Sequence, residues 1–196
     1  DKKVNGDQQL IERVAGRTFR LSPGSFWQAH LKGPELLTSC VSEFAKLLNL
    51  DPEKQNLDLY SGAGLFSATL SAQFDGAKFL AVESSKQAIA DGERSSHDLD
   101  NLRFHQADVL KFLRSQTAGT FDTIILDPPR SGAANKVVEQ LIRLSPRNMI
   151  YVACDPVALA RDLKTLGDAG YKVKAMRAFD IFPHTHHFET VVALAR

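Results

Sequence analysis

Short apolar segments alternate with segments of helical periodicity along most of this chain, and this alternation constrains the fold more than any other feature. Between residues 56 and 167, each apolar run of strand length is followed by a run with amphipathic helical spacing. The predicted strands, some including the turn that follows, cover 56–64, 78–83, 101–108, 121–129 and 148–154, and the predicted helices cover 65–74, 85–99, 109–115, 135–144 and 157–167. Strands that alternate with helices form parallel βαβ units.

Two further apolar segments, at 171–179 and 188–195, end the chain and are separated by only a short loop. Such a loop joins antiparallel neighbours. We therefore predict an α/β fold: a doubly wound, mostly parallel seven-stranded sheet with helices on both faces and a C-terminal antiparallel hairpin.

The residues that precede the alternation divide into two parts. The apolar alternation around Ala15-Gly16-Arg17 predicts a β-hairpin, and residues 34–48 place apolar side chains, Cys40 among them, at helical spacing. The chain begins with Asp1 rather than methionine, which suggests a piece of a longer protein. We predict an N-terminal hairpin or extension over residues 1–30 and a main domain over residues 31–196.

Composition excludes several classes of protein. The chain has 24 basic and 23 acidic residues, so no global charge indicates a nucleic-acid partner, although a local basic patch remains open. Its two cysteines predict neither a disulfide framework nor a cysteine-rich metal site, which favours a reducing, cytoplasmic setting. No apolar run reaches the roughly 18 residues of a membrane span. We expect a monomer without membrane association.

Cys154 follows the apolar strand 148–153 and precedes a predicted helix. The carboxyl end of a strand, where a loop opens into a helix, is where open α/β sheets bind ligands. Two interpretations of Cys154 stand at this point: a reactive thiol in a site, or the small buried apolar residue that most free cysteines are.

A glycine turn and acidic residues follow the first three strands of the alternation. Gly62 and Gly64 allow a tight turn and close approach of a ligand, but Ser67 breaks the dinucleotide fingerprint that requires a third glycine. Glu83 is placed to accept hydrogen bonds from a ribose diol, and Asp108 could meet an adenine amino group. Either acid could instead cap a helix. Together they favour S-adenosylmethionine over NAD, because no pyrophosphate cradle is needed.

The segment LDPPRSG (126–132) places Asp127 at the end of the fourth strand, followed by two prolines that stiffen the loop. Such a platform could position a flat base beside a cofactor, or could be a stiff surface turn. Enzymes that methylate amino groups of bases typically have an aromatic residue after the prolines, where this chain has Arg130.

The run His184-Thr185-His186-His187 suggests a metal site, with Cys154 as a possible further ligand. Neighbouring side chains of a strand point to opposite faces, and there is no second cysteine nearby and no H-E-x-x-H motif. We therefore predict no metal, and expect solvated or RNA-facing histidines.

Six motifs in a fixed order resemble those of a known family. They are FRLSPGSFWQ (19–28), LDLYSGAGLFS (57–67), AVE (81–83), LDPPRSG (126–132), ACDPVALARDL (153–163) and FPHTHHFET (182–190). Over residues 10–196 the chain resembles the RNA (uracil-5-)-methyltransferases, which make 5-methyluridine in tRNA and ribosomal RNA from S-adenosylmethionine. The resemblance implies a class I methyltransferase fold and the catalytic domain of such an enzyme.

The resemblance also implies roles for individual residues. In that family the cysteine matching Cys154 is the nucleophile, and the glutamate matching Glu189 removes a proton. The residues that line the cofactor and base pocket match Gln28, Tyr60, Glu83 and Asp127. We expect Asp127 to orient the substrate.

The chemistry of uracil agrees with this assignment. A thiolate that adds to carbon 6 makes carbon 5 nucleophilic, and a base must then remove the carbon 5 proton. We expect the site of Cys154 to favour its thiolate form. The base must leave its stack, and Phe26 and Trp27 are candidates to stack on it unless they belong to the core.

Three departures from the family affect RNA binding rather than the chemistry. His30 stands where the family often has asparagine, and neither the N-terminal RNA-binding domain nor the cysteines of an iron–sulfur cluster are present in this sequence. The alternatives are a non-catalytic RNA- or nucleoside-binding module, and an RNA cytosine-5 methyltransferase. The latter enzymes typically have a cysteine beside the proline of the fourth-strand motif, which this chain lacks.

Overall fold

The computed structural model describes residues 9–185 and 188–196. The strands are β1 (Leu10–Val14), β2 (Arg17–Leu21), β3 (Gln55–Leu59), β4 (Lys78–Glu83), β5 (Leu102–Gln106), β6 (Phe121–Leu126), β7 (Asn148–Ala153), β8 (Lys172–Phe179) and β9 (Glu189–Ala195). The helices are α1 (Gly33–Leu47), α2 (Leu65–Gln73), α3 (Lys86–Ser95), α4 (Val109–Ser115), α5 (Asn135–Leu144) and α6 (Pro156–Asp168).

Seven strands form one sheet in the order β5-β4-β3-β6-β7-β9-β8. Strands β3 to β7 pair in parallel, and β9 runs antiparallel to both of its neighbours, β7 and β8. The predicted doubly wound sheet with a C-terminal antiparallel hairpin is confirmed. The order reverses between β3 and β6, and the carboxyl ends of parallel strands at such a switch point border a crevice.

The sheet is covered on both faces, as predicted. On one face α1 and α2 pack with the β1–β2 hairpin around a core that includes Phe19, Cys40 and Ile150. On the other face α4, α5 and α6 surround a core that includes Leu126 and Tyr151. Cys40 is therefore a buried core residue, as its helical spacing indicated.

The N-terminal hairpin turns through Ala15 and Gly16, which both have positive φ angles, at 50° and 78°. Two such residues match the right-handed twist of the flanking strands. The hairpin also contacts α3, because the Arg20 N–H of β2 donates to the Ser95 hydroxyl at 2.9 Å. A boundary at residue 30 stays a prediction, and residues 1–8 lie outside the described residues.

The predicted elements differ from the observed ones mainly at their ends. Helices α4 and α5 have the predicted bounds. The fourth strand of the parallel series stops at Leu126, three residues earlier than predicted, because Pro128 and Pro129 have no N–H to continue the ladder. Among the described residues, no helix has the length and apolar character that crossing a membrane requires.

Candidate active site

A cavity of about 700 Å³ opens at the carboxyl ends of the parallel strands, on the switch point between β3 and β6. Seven of the nine predicted site residues line it: Gln28, Tyr60, Gly62, Glu83, Asp127, Cys154 and Glu189. The sheet topology explains the convergence, since β3, β4, β6 and β7 each end at this edge.

Cys154 and Glu189 arrive at the cavity from neighbouring strands that run in opposite directions. Ala153, the last residue of β7, pairs with Thr190 of β9. Cys154 is therefore the first residue after β7, and Glu189 is the first residue of β9, at the same end of the ladder. The reversal of β9 brings the amino end of a strand to an edge otherwise made of carboxyl ends.

Asp127 follows β6 directly and extends its ladder, because its N–H donates to the Leu59 carbonyl at 3.3 Å. Its carboxylate accepts a hydrogen bond from the Gln28 amide at 3.1 Å. Burial, with the charges of Glu189 and Asp58, raises the pKa of Asp127 to about 8, and the Gln28 bond opposes this shift. The group is therefore a partly protonated acid near neutral pH.

The thiol of Cys154 is half-buried, and its surroundings favour the neutral form. Burial raises its pKa, and the carboxylates of Glu189 and Asp127 raise it further, while Arg130 lowers it. The expectation that the site favours the thiolate is wrong for the ligand-free chain. The causes are burial first and then the acidic pair Glu189 and Asp127, whose closeness to the sulfur the sequence did not indicate.

Glu189 is buried at the start of β9, with 6% of its surface exposed. Burial raises its pKa, and Arg130 lowers it. A carboxylate with a raised pKa is a stronger base once ionised, which suits proton removal.

The glycine turn and Glu83 form the wall opposite Cys154. Tyr60 has a φ of 59° and Gly62 a φ of 54°, so the chain turns sharply after β3. Nothing lies within 4 Å of the position that a Cβ of Gly62 would take, which leaves its backbone open to the cavity. The Gly62 N–H donates to Glu83 at 3.2 Å, and the Ser85 N–H donates to the other carboxylate oxygen at 2.8 Å.

Gly64 and Asp108 do not line the cavity. Gly64 has a φ of 80°, and a Cβ there would lie 2.8 Å from the Phe104 ring, so packing against that ring accounts for this glycine. Asp108 is the N-cap of α4, where its carboxylate accepts from the Lys111 N–H at 2.9 Å. This cap uses only one carboxylate oxygen of Asp108. A contact between the other oxygen and an adenine amino group stays a prediction.

The two aromatic candidates lie differently. Phe26 is 70% exposed and lines the cavity, whereas Trp27 packs against Phe19 with 5.1 Å between ring centroids. Phe26 is therefore free to stack on a base, and Trp27 supports the hairpin core.

Sequence reasoning missed the roles of two charged residues. Arg130 lines the cavity and is the cation that acts on both Cys154 and Glu189. Asp58 is fully buried, its pKa is raised to about 7 by burial, and it accepts from the Ser67 N–H at 3.0 Å, which fixes the start of α2. The sequence offered one signal for this role of Asp58, namely a charged residue within an apolar strand.

A metal centre has no support in the part of the chain that is described. Over residues 9–185 and 188–196, no three His, Cys, Asp or Glu side chains are grouped as metal ligands. His186 and His187 lie outside the described residues, so the prediction about them stays open.

The cavity fits S-adenosylmethionine in the chemistry of its walls. Glu83 is held by two backbone N–H groups with lone pairs left for a ribose diol, and the open backbone at Gly62 allows close approach. The carboxyl groups of Asp127 and Glu189 line the cavity with Cys154, and each can direct an oxygen at the positive charge of a sulfonium.

The strand order, the antiparallel β9 and the site at the switch point define an S-adenosylmethionine-dependent methyltransferase fold. The model of the tRNA (Uracil-5-)-methyltransferase family matches residues 9–196. The chain belongs to that family.

Similar proteins agree with this assignment. An "Uncharacterized RNA methyltransferase" of Streptomyces avermitilis is 43% identical over 195 residues, which cover 98% of this chain and 44% of the relative. A protein of Thermotoga maritima with the same description is 36% identical over 197 residues, covering 100% of this chain and 44% of the relative. The chain spans less than half the length of these relatives.

A solved structure is similar in both fold and sequence. The crystal structure of Pyrococcus abyssi tRNA (uracil-54, C5)-methyltransferase in complex with S-adenosyl-L-homocysteine superimposes with a TM-score of 0.82 and 31% identity. The alignment covers 99% of this chain and 46% of that one.

Proposed function

We propose that this chain carries the catalytic site of an S-adenosylmethionine-dependent methyltransferase that methylates carbon 5 of a uridine in RNA. The observation that carries the proposal is the convergence of Cys154, Glu189 and Asp127 in one cavity, beside an open glycine turn. The reaction needs one thiol and one base, and these residues supply both.

The cofactor supplies a methyl group on a sulfonium, the electrophile of the reaction. Glu83 would hold its ribose, and the backbone at Gly62 would lie along it. Asp127 and Gln28 are hydrogen-bonded at 3.1 Å and line the part of the cavity between this wall and Cys154. They are placed to contact the groups that react.

Cys154 acts first. Its thiol gives up a proton to water and the sulfur adds to carbon 6 of the uracil ring, which places the electron pair of the former double bond on carbon 5 and the carbonyl at carbon 4. Carbon 5 then takes the methyl group. Arg130 stabilises the negative charge at this stage, since it already lowers the pKa of Cys154.

Glu189 completes the reaction. Its carboxylate removes the proton from carbon 5, the double bond to carbon 6 re-forms, and the bond to sulfur breaks with release of the Cys154 thiolate. The raised pKa of Glu189 strengthens it as a base. The site returns to its starting state when the proton passes from Glu189 to the sulfur of Cys154.

The proposed substrate is a uridine of tRNA or ribosomal RNA that has left its stack, with Phe26 as its stacking partner. The name of the Pyrococcus abyssi relative favours tRNA. That the protein acts as a monomer in the cytoplasm, and that RNA affinity depends on parts outside this chain, stay predictions.

Covalent trapping tests the proposal. Fluorine at carbon 5 cannot leave as a proton does, so 5-fluorouridine RNA methylated by the full-length protein stays attached to Cys154. We expect a stable adduct with the native protein and with C40S, and none with C154A, in denaturing gels. C40S is the matched control because Cys40 is buried in the core.

Three outcomes contradict the proposal. An undiminished adduct with C154A would remove Cys154 as the nucleophile. RNA binding by calorimetry without S-adenosylmethionine binding would favour the binding module, and an adduct with 5-fluorocytidine RNA in place of 5-fluorouridine RNA would favour cytosine methylation.

A further inference from the structure

The loop that carries Arg130 is fixed to α6 by backbone contacts. It follows Pro128 and Pro129, and it turns where the Gly132 N–H donates to the Pro129 carbonyl at 2.8 Å. One residue later, the buried Ala133 N–H donates to the Asp162 carboxylate of α6 at 2.9 Å and to the Tyr151 hydroxyl at 3.1 Å.

Asp162 is the centre of this arrangement. It is 1% exposed, and one of its oxygens accepts from the Tyr151 hydroxyl at 2.7 Å as well as from Ala133. Its other oxygen accepts from the Arg161 guanidinium at 2.8 Å. Arg161 in turn donates to the Ser131 carbonyl at 2.9 Å, so two adjacent residues of α6 hold the two loop residues that flank Gly132.

Gly132 lets the loop approach α6 this closely. Its φ is 82°, and a Cβ there would lie 2.6 Å from both the Asp162 carboxylate and the Arg161 guanidinium. No side chain fits between the loop and these groups, so the glycine is a requirement of the contact.

The same helix begins just after the candidate nucleophile. Asp155 caps α6, directly following Cys154, and its carboxylate accepts from the Ala158 N–H at 2.8 Å. Pro129 and Arg130 of the loop and Cys154 line a gap that does not admit a water molecule. The loop, α6 and the end of β7 therefore behave as one packed unit.

This unit places the backbone of Arg130 next to Cys154. The charged groups that act on Cys154 are Glu189, Asp127 and Arg130, and Arg130 is the cation among them. Within residues 9–185 and 188–196, no hydrogen bond holds the Arg130 side chain. The position of Arg130 therefore depends on its loop.

We propose that Asp162 is a positioning residue of the active site: by holding Ser131–Ala133 against α6, it keeps Arg130 beside Cys154 and Glu189. The proposal rests on the proposed function for its meaning in catalysis, but its test does not use catalysis. The test separates a role of Asp162 in the active site from a general role of Asp162 in folding.

The test is the pH dependence of Cys154 alkylation by iodoacetamide, followed by mass spectrometry on the full-length protein without RNA or cofactor. We expect R130Q to slow alkylation at pH 7 by about threefold to tenfold, because loss of a nearby cation raises a thiol pKa. D162N should slow it in the same direction. The double variant R130Q/D162N should react like R130Q alone, because Asp162 acts through Arg130.

D122N is the matched control, since Asp122 also pairs with an arginine, Arg147, at 2.8 Å. This pair lies at the amino end of β6, away from the cavity. D122N should lose stability without a change in the alkylation profile. Y151F, which removes a single contact to Asp162, should give a smaller shift and serves if D162N does not fold.

The proposal would be overturned if D162N, or Y151F in its place, folds and leaves the alkylation profile unchanged. It would also be overturned if the shift in R130Q/D162N equals the sum of the two single shifts. A null result for R130Q would overturn it as well. Because alkylation needs no RNA, failure of this cycle leaves the covalent-trapping test unaffected, and failure of trapping leaves the cycle unaffected.

Discussion

At the residue scale, Asp127 makes the stability of the fold depend on pH. Its pKa is about 8 when folded, while an unperturbed aspartate has a pKa of about 3.9. The folded state therefore binds more protons than the unfolded state between roughly pH 4 and pH 8. Stability contributed by this group falls as pH rises through that window.

We expect D127N to raise the melting temperature at pH 8 and to change it little at pH 4. Asparagine is neutral and keeps an oxygen that accepts from Gln28, so only the cost of ionising a buried acid disappears. Thermal unfolding at several pH values measures the difference.

D122N provides the contrast for this measurement. Burial alone would raise the pKa of Asp122, but hydrogen bonds from Arg147 and Thr123 outweigh it and lower the pKa. Stability from Asp122 is present above its unfolded pKa and is lost as pH falls, so D122N should destabilise at pH 8 more than at pH 3. A D127N profile of the same sign as that of D122N would contradict the assignment.

Glu189 gives the second prediction at this scale. E189Q removes the proposed base but keeps the size of the side chain, so we expect turnover to fall by about 10²- to 10⁴-fold while Cys154 still adds to the ring. A methylated RNA–protein adduct should then accumulate with ordinary RNA, visible in a denaturing gel. Loss of both turnover and adduct would indicate instead that Glu189 is needed before the thiol adds.

The sequence predicted single residues well where the strand ends alone decide their place. Cys154, Asp127 and Glu83 lie in the cavity because β7, β6 and β4 end there. Asp108 and Gly64 also satisfy local needs, a helix cap and a ring contact, and these needs select the same residue types as a ligand site does. The contact of Asp108 with the cofactor stays a prediction.

At the scale of elements, the Phe104 ring lies between the glycine turn and α3. A Cβ on Gly92, in the middle of α3, would clash with this ring, at 2.6 Å from its Cζ atom, and would lie 3.1 Å from the Ala63 carbonyl. The close approach of α3 to the turn therefore depends on a glycine inside a helix, where glycine is otherwise unfavourable.

We expect G92A to destabilise the chain, although helix propensity alone predicts a gain of about 1 kcal/mol. Overpacking costs about 1–3 kcal/mol and should exceed that gain. Urea unfolding measures the net change. The same substitution in an F104L background should cost less, and an equal cost in both backgrounds would mean that the ring is not the obstacle.

Helix α3 also holds the loop that leads from β2 to Gln28. Asp91, which is fully buried, accepts from the Ser22 N–H at 2.8 Å, the Ser22 hydroxyl at 2.7 Å and the Ser25 hydroxyl at 2.6 Å. Phe26 and Gln28 reach the cavity from this loop. The Asp91 carboxylate thus holds one wall of the cavity against α3, the helix that follows Glu83.

We expect D91A to lower the free energy of unfolding by about 3 kcal/mol, because several buried donors lose their acceptor. Chymotrypsin should then cleave after Phe26 at low denaturant. D91N keeps one accepting oxygen and should have a smaller effect. Resistance of D91A to cleavage at Phe26 would show that the loop is held by other contacts.

At the scale of the whole molecule, the sheet order separates protected from accessible backbone. β9 is bonded on both sides, whereas β8 forms an edge and is exposed along most of its length. We expect amides of β9 to exchange with solvent as slowly as those of β6 and β7, and outward amides of β8 to exchange much faster. Hydrogen exchange with mass spectrometry measures both, and equally slow exchange in β8 would reveal a covering partner.

The architecture could be predicted because the spacing of apolar residues along the sequence indicates which side chains of each element are buried. Parallel strands buried on both faces, such as β6 and β7, are continuous apolar runs, and the amphipathic helices between them dictate the connections. The environment of the thiol could not be predicted in this way. It depends on Glu189 and Arg130, which reach Cys154 from β9 and the loop after β6, and sequence patterns give no distance between them.

The antiparallel pairing of β7 with β9 has a consequence for how this site tolerates change. The Ala153–Thr190 register, rather than the connection from β8, determines where Glu189 lies. Insertions or deletions in that connection can therefore vary among related sequences while the thiol and the carboxylate keep their spacing. The rim of the cavity could diversify towards different RNAs over a reaction centre that the backbone ladder holds constant.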